Sequence, residues 1–174
     1  MDSGGLRSNT DMRGFAEDGG NVVYTQRVAP LQWRWWGLMM GFILRCDARV
    51  RVLMIIFGKV LTDDGFLAGF AAVKDFVSQR GPHNGITDFS QVESFEITNE
   101  LLSVLGSVAP AFPAPMRRLV VASTPAAYVC TRIVQTLRLG SSAPIEIVAT
   151  ADEAYARAGT NSSALIDVQA PYSP

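Results

Sequence analysis

Four times after residue 50, a short run of mostly branched apolar residues leads to a threonine or aspartate able to cap a helix, and then to apolar residues at helical spacing. Few folds accommodate that alternation. A strand that returns beside its neighbour after an intervening helix lies parallel to it, because parallel pairing requires a long crossover connection. The chain is therefore expected to be an α/β domain with a mixed, mostly parallel sheet, an N-terminal antiparallel hairpin, and crossover helices packed on the sheet.

The hairpin is predicted over residues 42–45 and 50–57, where branched and aromatic residues flank Asp47-Ala48, a pair suited to tight reversal. Its second strand is almost continuously apolar, the mark of a strand covered on both faces. Gly58 ends it, and Thr62 or Asp63 caps a helix whose Phe66, Phe70, Val73 and Val77 recur on one face. Residues 85–89 form the next strand. Thr98 then opens a helix with Leu101, Leu105 and Val108 facing inward and Leu102 widening the stripe. Pro110, Pro113 and Pro115 impose a stiff, extended connector before a strand at 118–122. Thr124-Pro125 starts a helix carrying Tyr128, Thr131, Ile133, Val134 and Leu137 as far as Gly140. After a last strand at 145–148, Thr150 and Glu153 have capping-box spacing, and the helix they open stops at Gly159.

A chain of 174 residues with 48% hydrophobic composition can bury one ordinary core. Residues 40–159 are expected to be that domain, and residues 160–174 a flexible tail. Residues 1–39 read as a disordered extension or a misassigned start, with Met39 or Met40 directly before the first convincing strand. The Trp33-Arg34-Trp35-Trp36 cluster within them could instead anchor to a membrane surface or a partner. The apolar run at 35–44 is about half the roughly 20 residues that a spanning helix requires, so no membrane span is expected. With 15 basic and 16 acidic residues, charge points to no nucleic-acid partner. Cys46 and Cys130 stand in apolar surroundings without a CxxC motif, as buried thiols do in a reducing, cytoplasmic compartment.

Sites in α/β domains collect in loops after the carboxyl ends of strands, which draws attention to Asp88, Ser90, Phe95, Glu96, Ile97, Thr98 and Asn99. Asp88 has no second carboxylate or histidine at a spacing that completes a metal or acid–base site, and is expected to fix its loop by bonding backbone amides. Thr98 is expected to be a helix cap. His83, between Pro82 and Asn84, reads as a solvated turn residue without a nucleophile beside it. Ser123-Thr124-Pro125 lacks the glycine-rich cradle of a phosphate loop. No cofactor or metal is implied, and a non-enzymatic role is expected.

Residues 40–159 resemble STAS-like proteins of the bacterial SpoIIAA-like group. The resemblance rests on Gly58-Lys59-Val60-Leu61-Thr62-Asp63, on Gly85-Ile86-Thr87-Asp88-Phe89-Ser90-Gln91-Val92, on Pro110-Ala111-Phe112-Pro113-Ala114-Pro115, and on Thr150-Ala151-Asp152-Glu153-Ala154-Tyr155. It implies a regulatory module that binds a protein partner through the loop and helix start near residues 88–99. Phosphoswitch members of the wider family carry Asp-Ser-Ser-Gly there, which falls on Glu96-Ile97-Thr98-Asn99 and leaves Thr98 as the candidate phosphoacceptor. A second expectation follows from the fold's kinship with lipid-carrying domains: Phe66, Phe70, Phe89, Phe95, Phe112 and Tyr128 could line a pocket for a small apolar ligand. An exposed patch at Phe95 and Ile97 would favour the partner module, and an enclosed aromatic cavity the ligand carrier.

Overall fold

The computed structural model describes residues 41–138 and 144–168. The predicted hairpin is β1 (Phe42–Asp47) paired antiparallel with β2 (Val52–Phe57). A three-residue strand, β3 (Val60–Thr62), leads into α1 (Asp63–Arg80), then β4 (Asn84–Asp88), β5 (Ser94–Glu96) and α2 (Asn99–Ser107). The chain continues through β6 (Arg118–Val121), α3 (Pro125–Leu137), β7 (Ile145–Val148), α4 (Ala151–Ala158) and β8 (Ile166–Asp167). The main sheet has the order β7-β6-β4-β2-β1-β8, parallel from β7 to β2 and antiparallel on both sides of β1. The expected mixed, mostly parallel α/β architecture is therefore present.

β8 departs from the flexible tail expected from residue 160. Leu165 is buried in the core, and β8 pairs with β1, supplying the edge strand with hydrogen-bond partners. A second difference is the small parallel sheet of β3 and β5, whose brevity hides it from periodicity. Residues 1–39, including the Trp33-Arg34-Trp35-Trp36 cluster, lie outside the described residues, as does Gly140, the predicted end of α3. No described helix is long and apolar enough to cross a membrane.

Strand alternation divides the core in two. One face gathers Leu53, Ile55, Phe57 and Val120; the other gathers Val52, Met54, Ile86, Leu119, Val121 and Val148 beneath Ala154 and Ala158 of α4. α1 lies tight on the first face because Gly65, Gly69 and Ala72 are its buried residues, with Val73. The phenylalanines expected to point straight in therefore flank the contact: Phe66 stacks on Phe57 at 5.6 Å, and Phe57 stacks on Phe89 at 5.5 Å. Likewise α2 buries Leu101, Leu102 and Leu105, while Val108 becomes its exposed C-cap. In α3 the inward side is made by Ala127 and Thr131, leaving Tyr128, Ile133 and Leu137 exposed.

Candidate functional site: an apolar cavity over the central strand

On the face that carries α1, the sheet presents rows of side chains that follow its register. One row runs Leu53, Gly85, Arg118, Ile145, and the next Ile55, Thr87, Val120, Ile147. The central strand β4 thus offers only a glycine and a threonine where its neighbours offer bulky groups. Above the sheet, α1 packs against β1 to β3 and α3 against β7, with α2 packed on α3. The result is a cavity of about 140 Å³ over β4. The proline-rich connector contributes Phe112, which lies so close over Gly85 that a Cβ there would meet the ring at 2.2 Å.

The aromatics expected to line a pocket are largely brought together. Phe66, Phe70, Phe89, Phe95 and Phe112 border the cavity, and Tyr128 lies instead in a separate cleft with Glu146 and Arg157. Phe89 meets Phe95 edge to face at 5.7 Å. Polar groups are few. Thr131 donates its hydroxyl to the Ala127 carbonyl at 2.7 Å, so it is occupied within its own helix. Cys130, also on the wall, has a thiol pushed up by burial and is a poor nucleophile there. Arg118, 6% exposed, and half-buried Arg138 complete the lining. Burial lowers both guanidinium pKa values, and the charge of Arg138 lowers that of Arg118 further. Both remain cations at neutral pH. The alternation of β6 explains Arg118: it shares its face with Val120, where an apolar residue would be expected. The arginines were absent from the sequence reading, although Arg118 at the start of an apolar strand was a signal.

The residues singled out at 88–99 are dispersed. Asp88 is buried on the α4 side of the sheet, where its charge reaches Tyr155, and its carboxylate accepts from the Ser90 amide at 2.7 Å. That is the loop-fixing bond expected of it. Phe95 and Ile97 are half-buried and turn to the cavity, with Glu96 and Asn99 exposed beside them. The pairing of β5 with β3 sets this alternation. Thr98 is exposed and caps α2, accepting from the Leu101 amide at 3.2 Å. Its hydroxyl also donates to Asp63 at 2.6 Å, and its amide to the same carboxylate at 2.9 Å. The starts of α1 and α2 are thereby joined. His83 is buried rather than solvated: its Nδ1 lies 2.8 Å from the Gly81 carbonyl, and its ring packs edge-on against Phe76. A protonated Nδ1 donates this bond.

Comparison of the chain with protein-family models, with curated proteins and with solved structures gives no match. The mixed α/β fold is consistent with a STAS-like architecture. Among the described residues, no group of three or more histidine, cysteine or acidic side chains is placed to hold a metal ion.

Proposed function

We propose that this chain is a non-enzymatic module that binds a small apolar molecule in the cavity over β4. The carrying observation is the cavity itself, about 140 Å³ and bordered by Phe66, Phe70, Phe89, Phe95 and Phe112. Apolar cavities of about 150 Å³ stay dry and take up a benzene-sized guest. The half-buried setting of Phe95 and Ile97, on the cavity wall, supports this reading over a patch for a partner. Free Cys46 and Cys130 fit a cytoplasmic site of action.

The test is an amide chemical-shift titration of the full chain with toluene. Saturable shifts at Phe95, Phe112 and Cys130 are expected, and Thr87→Leu, which grows a side chain into the hollow, should abolish them. Absence of saturable shifts in the parent protein would reject the reading.

A regulatory module that binds a protein, as the SpoIIAA-like resemblance implies, is the second reading. It is favoured by Val104 on α2 and by Val129, Ile133 and Leu137 on α3, apolar residues exposed on two helices that pack together. Recognition near residues 88–99 would then use Glu96 and Asn99, with Thr98 as phosphoacceptor. Stoichiometric phosphorylation of Thr98 that altered capture of a partner would support it; a protein that stays unmodified would count against the switch.

A further inference from the structure

Every tryptophan of the chain lies at position 33, 35 or 36, in the run Trp33-Arg34-Trp35-Trp36-Gly37-Leu38-Met39-Met40 that leads into Gly41. The fold brings the end of that run close to the cavity. The Gly41 carbonyl accepts from the Gly58 amide, and the ring of Phe42 lies 6.3 Å from that of Phe57, which borders the hollow. Building on the cavity reading above, we propose that this segment is an occupant of the cavity carried by the chain itself: one of its indoles inserts over β4 and excludes a free ligand until it is displaced.

Reach, chemistry and charge select this occupant. Trp36 and Trp33 stand five and eight residues before Gly41. Extended chain of those lengths spans about 17 and 28 Å, and the cavity wall begins one ring away, at Phe57. On that wall Phe66, Phe70, Phe95 and Ile97 are half-buried, so the apolar hollow meets solvent there. Three closely spaced tryptophans form a large apolar surface that gains by leaving water. A hollow of about 140 Å³ admits one aromatic ring system. Residues 19–40 carry Arg27 and Arg34 and no acidic residue. Opposite charge waits beside the wall, with exposed Asp64 two residues before Phe66 and exposed Glu96 between Phe95 and Ile97. A tethered occupant also competes at an effective concentration of the order of millimolar, an advantage that a separate protein lacks.

Tryptophan emission reads the proposal directly, because no tryptophan lies elsewhere in the chain. In the full chain the emission is expected to be blue of its position in urea, to be independent of protein concentration, and to move red on addition of toluene. Replacing the three residues together (Trp33→Ser, Trp35→Ser, Trp36→Ser) should tighten toluene binding, by about tenfold for a chain self-occupied in roughly nine molecules of ten. Thr87→Leu should move the emission red by filling the hollow. Glu96→Lys, an exposed change whose folding is not at issue, should do so in part and tighten toluene binding as well. Toluene binding by the serine variant alone would support self-occupancy. Emission already at its urea position, with equal toluene affinity in parent and serine variant, would overturn it and leave the apolar cavity reading standing. Blue emission indifferent to toluene and to Glu96→Lys would overturn it by placing the tryptophans on another surface. Blue emission lost on dilution would overturn it in favour of a second copy's segment. Failure of both proteins to bind toluene would overturn the two readings together.

Discussion

At the residue scale, threonine does the same local work four times. Thr62, Thr98, Thr124 and Thr150 each accept from the amide three residues on, to Gly65, Leu101, Ala127 and Glu153. Each such cap contributes about 1 kcal/mol. The box expected at Thr150 closes differently, because the Glu153 carboxylate accepts from the Ala149 amide at 3.1 Å and pairs with Arg157 at 2.7 Å. Thr98 adds the Asp63 contacts, so Thr98→Val should cost about 1–2 kcal/mol in urea denaturation, with Thr98→Ser recovering most of it. Two carboxylates are held in their charged form by hydrogen bonds. Hydrogen bonds from Thr160 and then Arg49 hold Asp47 below the ordinary aspartate value, and Arg117 followed by Arg157 does the same for Glu146, each against the opposing effect of burial. A depressed folded pKa gives stability that is complete above the unfolded value of about 4 and is lost as pH falls through the lower folded value. Asp47→Asn and Glu146→Gln should therefore lower the melting temperature at neutral pH. They should converge on the parent protein at acid pH, once the two carboxyls are protonated in the folded state as well.

At the element scale, close approach of helix and connector to the sheet depends on missing side chains. A Cβ on Gly69 would lie 2.7 Å from Ile55 Cδ1 and 2.9 Å from the Phe57 ring, so Gly69→Ala must lift α1 or displace the stacked aromatics. A loss of about 1–3 kcal/mol is expected from overpacking, readable by chemical denaturation. Gly85→Ala should drive Phe112 out of its place over β4, lowering stability by a similar amount, about 1–3 kcal/mol. The same substitution should also reshape the cavity and reduce toluene uptake. Combining it with Phe112→Ala should cost less than the sum of the two single changes, because the clash disappears with the ring. The four helices and the five longer strands, in their order, were legible from strand runs and caps, whereas the short β3, β5 and β8 were not. Which face each helix buries was less so, since Phe66 and Phe70 look like the inner stripe of α1 until Gly65, Gly69 and Ala72 are seen against the sheet.

At the scale of the whole molecule, the chain's return after α4 finishes the sheet. Thr160 donates to Asp47 at 2.8 Å, Leu165 is buried, and the Val168 amide donates to the Leu44 carbonyl at 2.9 Å. Ending the protein after Gly159 would remove these contacts and bare one edge of β1. Burial of Leu165 alone is worth about 1.5–3 kcal/mol, so the truncated chain should have a clearly lower urea midpoint than the full chain. It should also associate in size-exclusion chromatography, as exposed strand edges do. Equal stability and a monomeric profile would show that β8 contributes little.

The sequence by itself determined the local events: where helices start, which strands are buried on both faces, and hence the α/β order, because caps and apolar periods act over a few residues. It also supplied most of the cavity's aromatics, without their arrangement. Only the tertiary structure decided that Gly85 and Thr87 leave a hollow, that Phe95 and Ile97 turn toward it, and that Arg118 and Arg138 are among the residues that border it. Those outcomes depend on strand register and on which helices touch, contacts between residues far apart in the chain that no local pattern encodes.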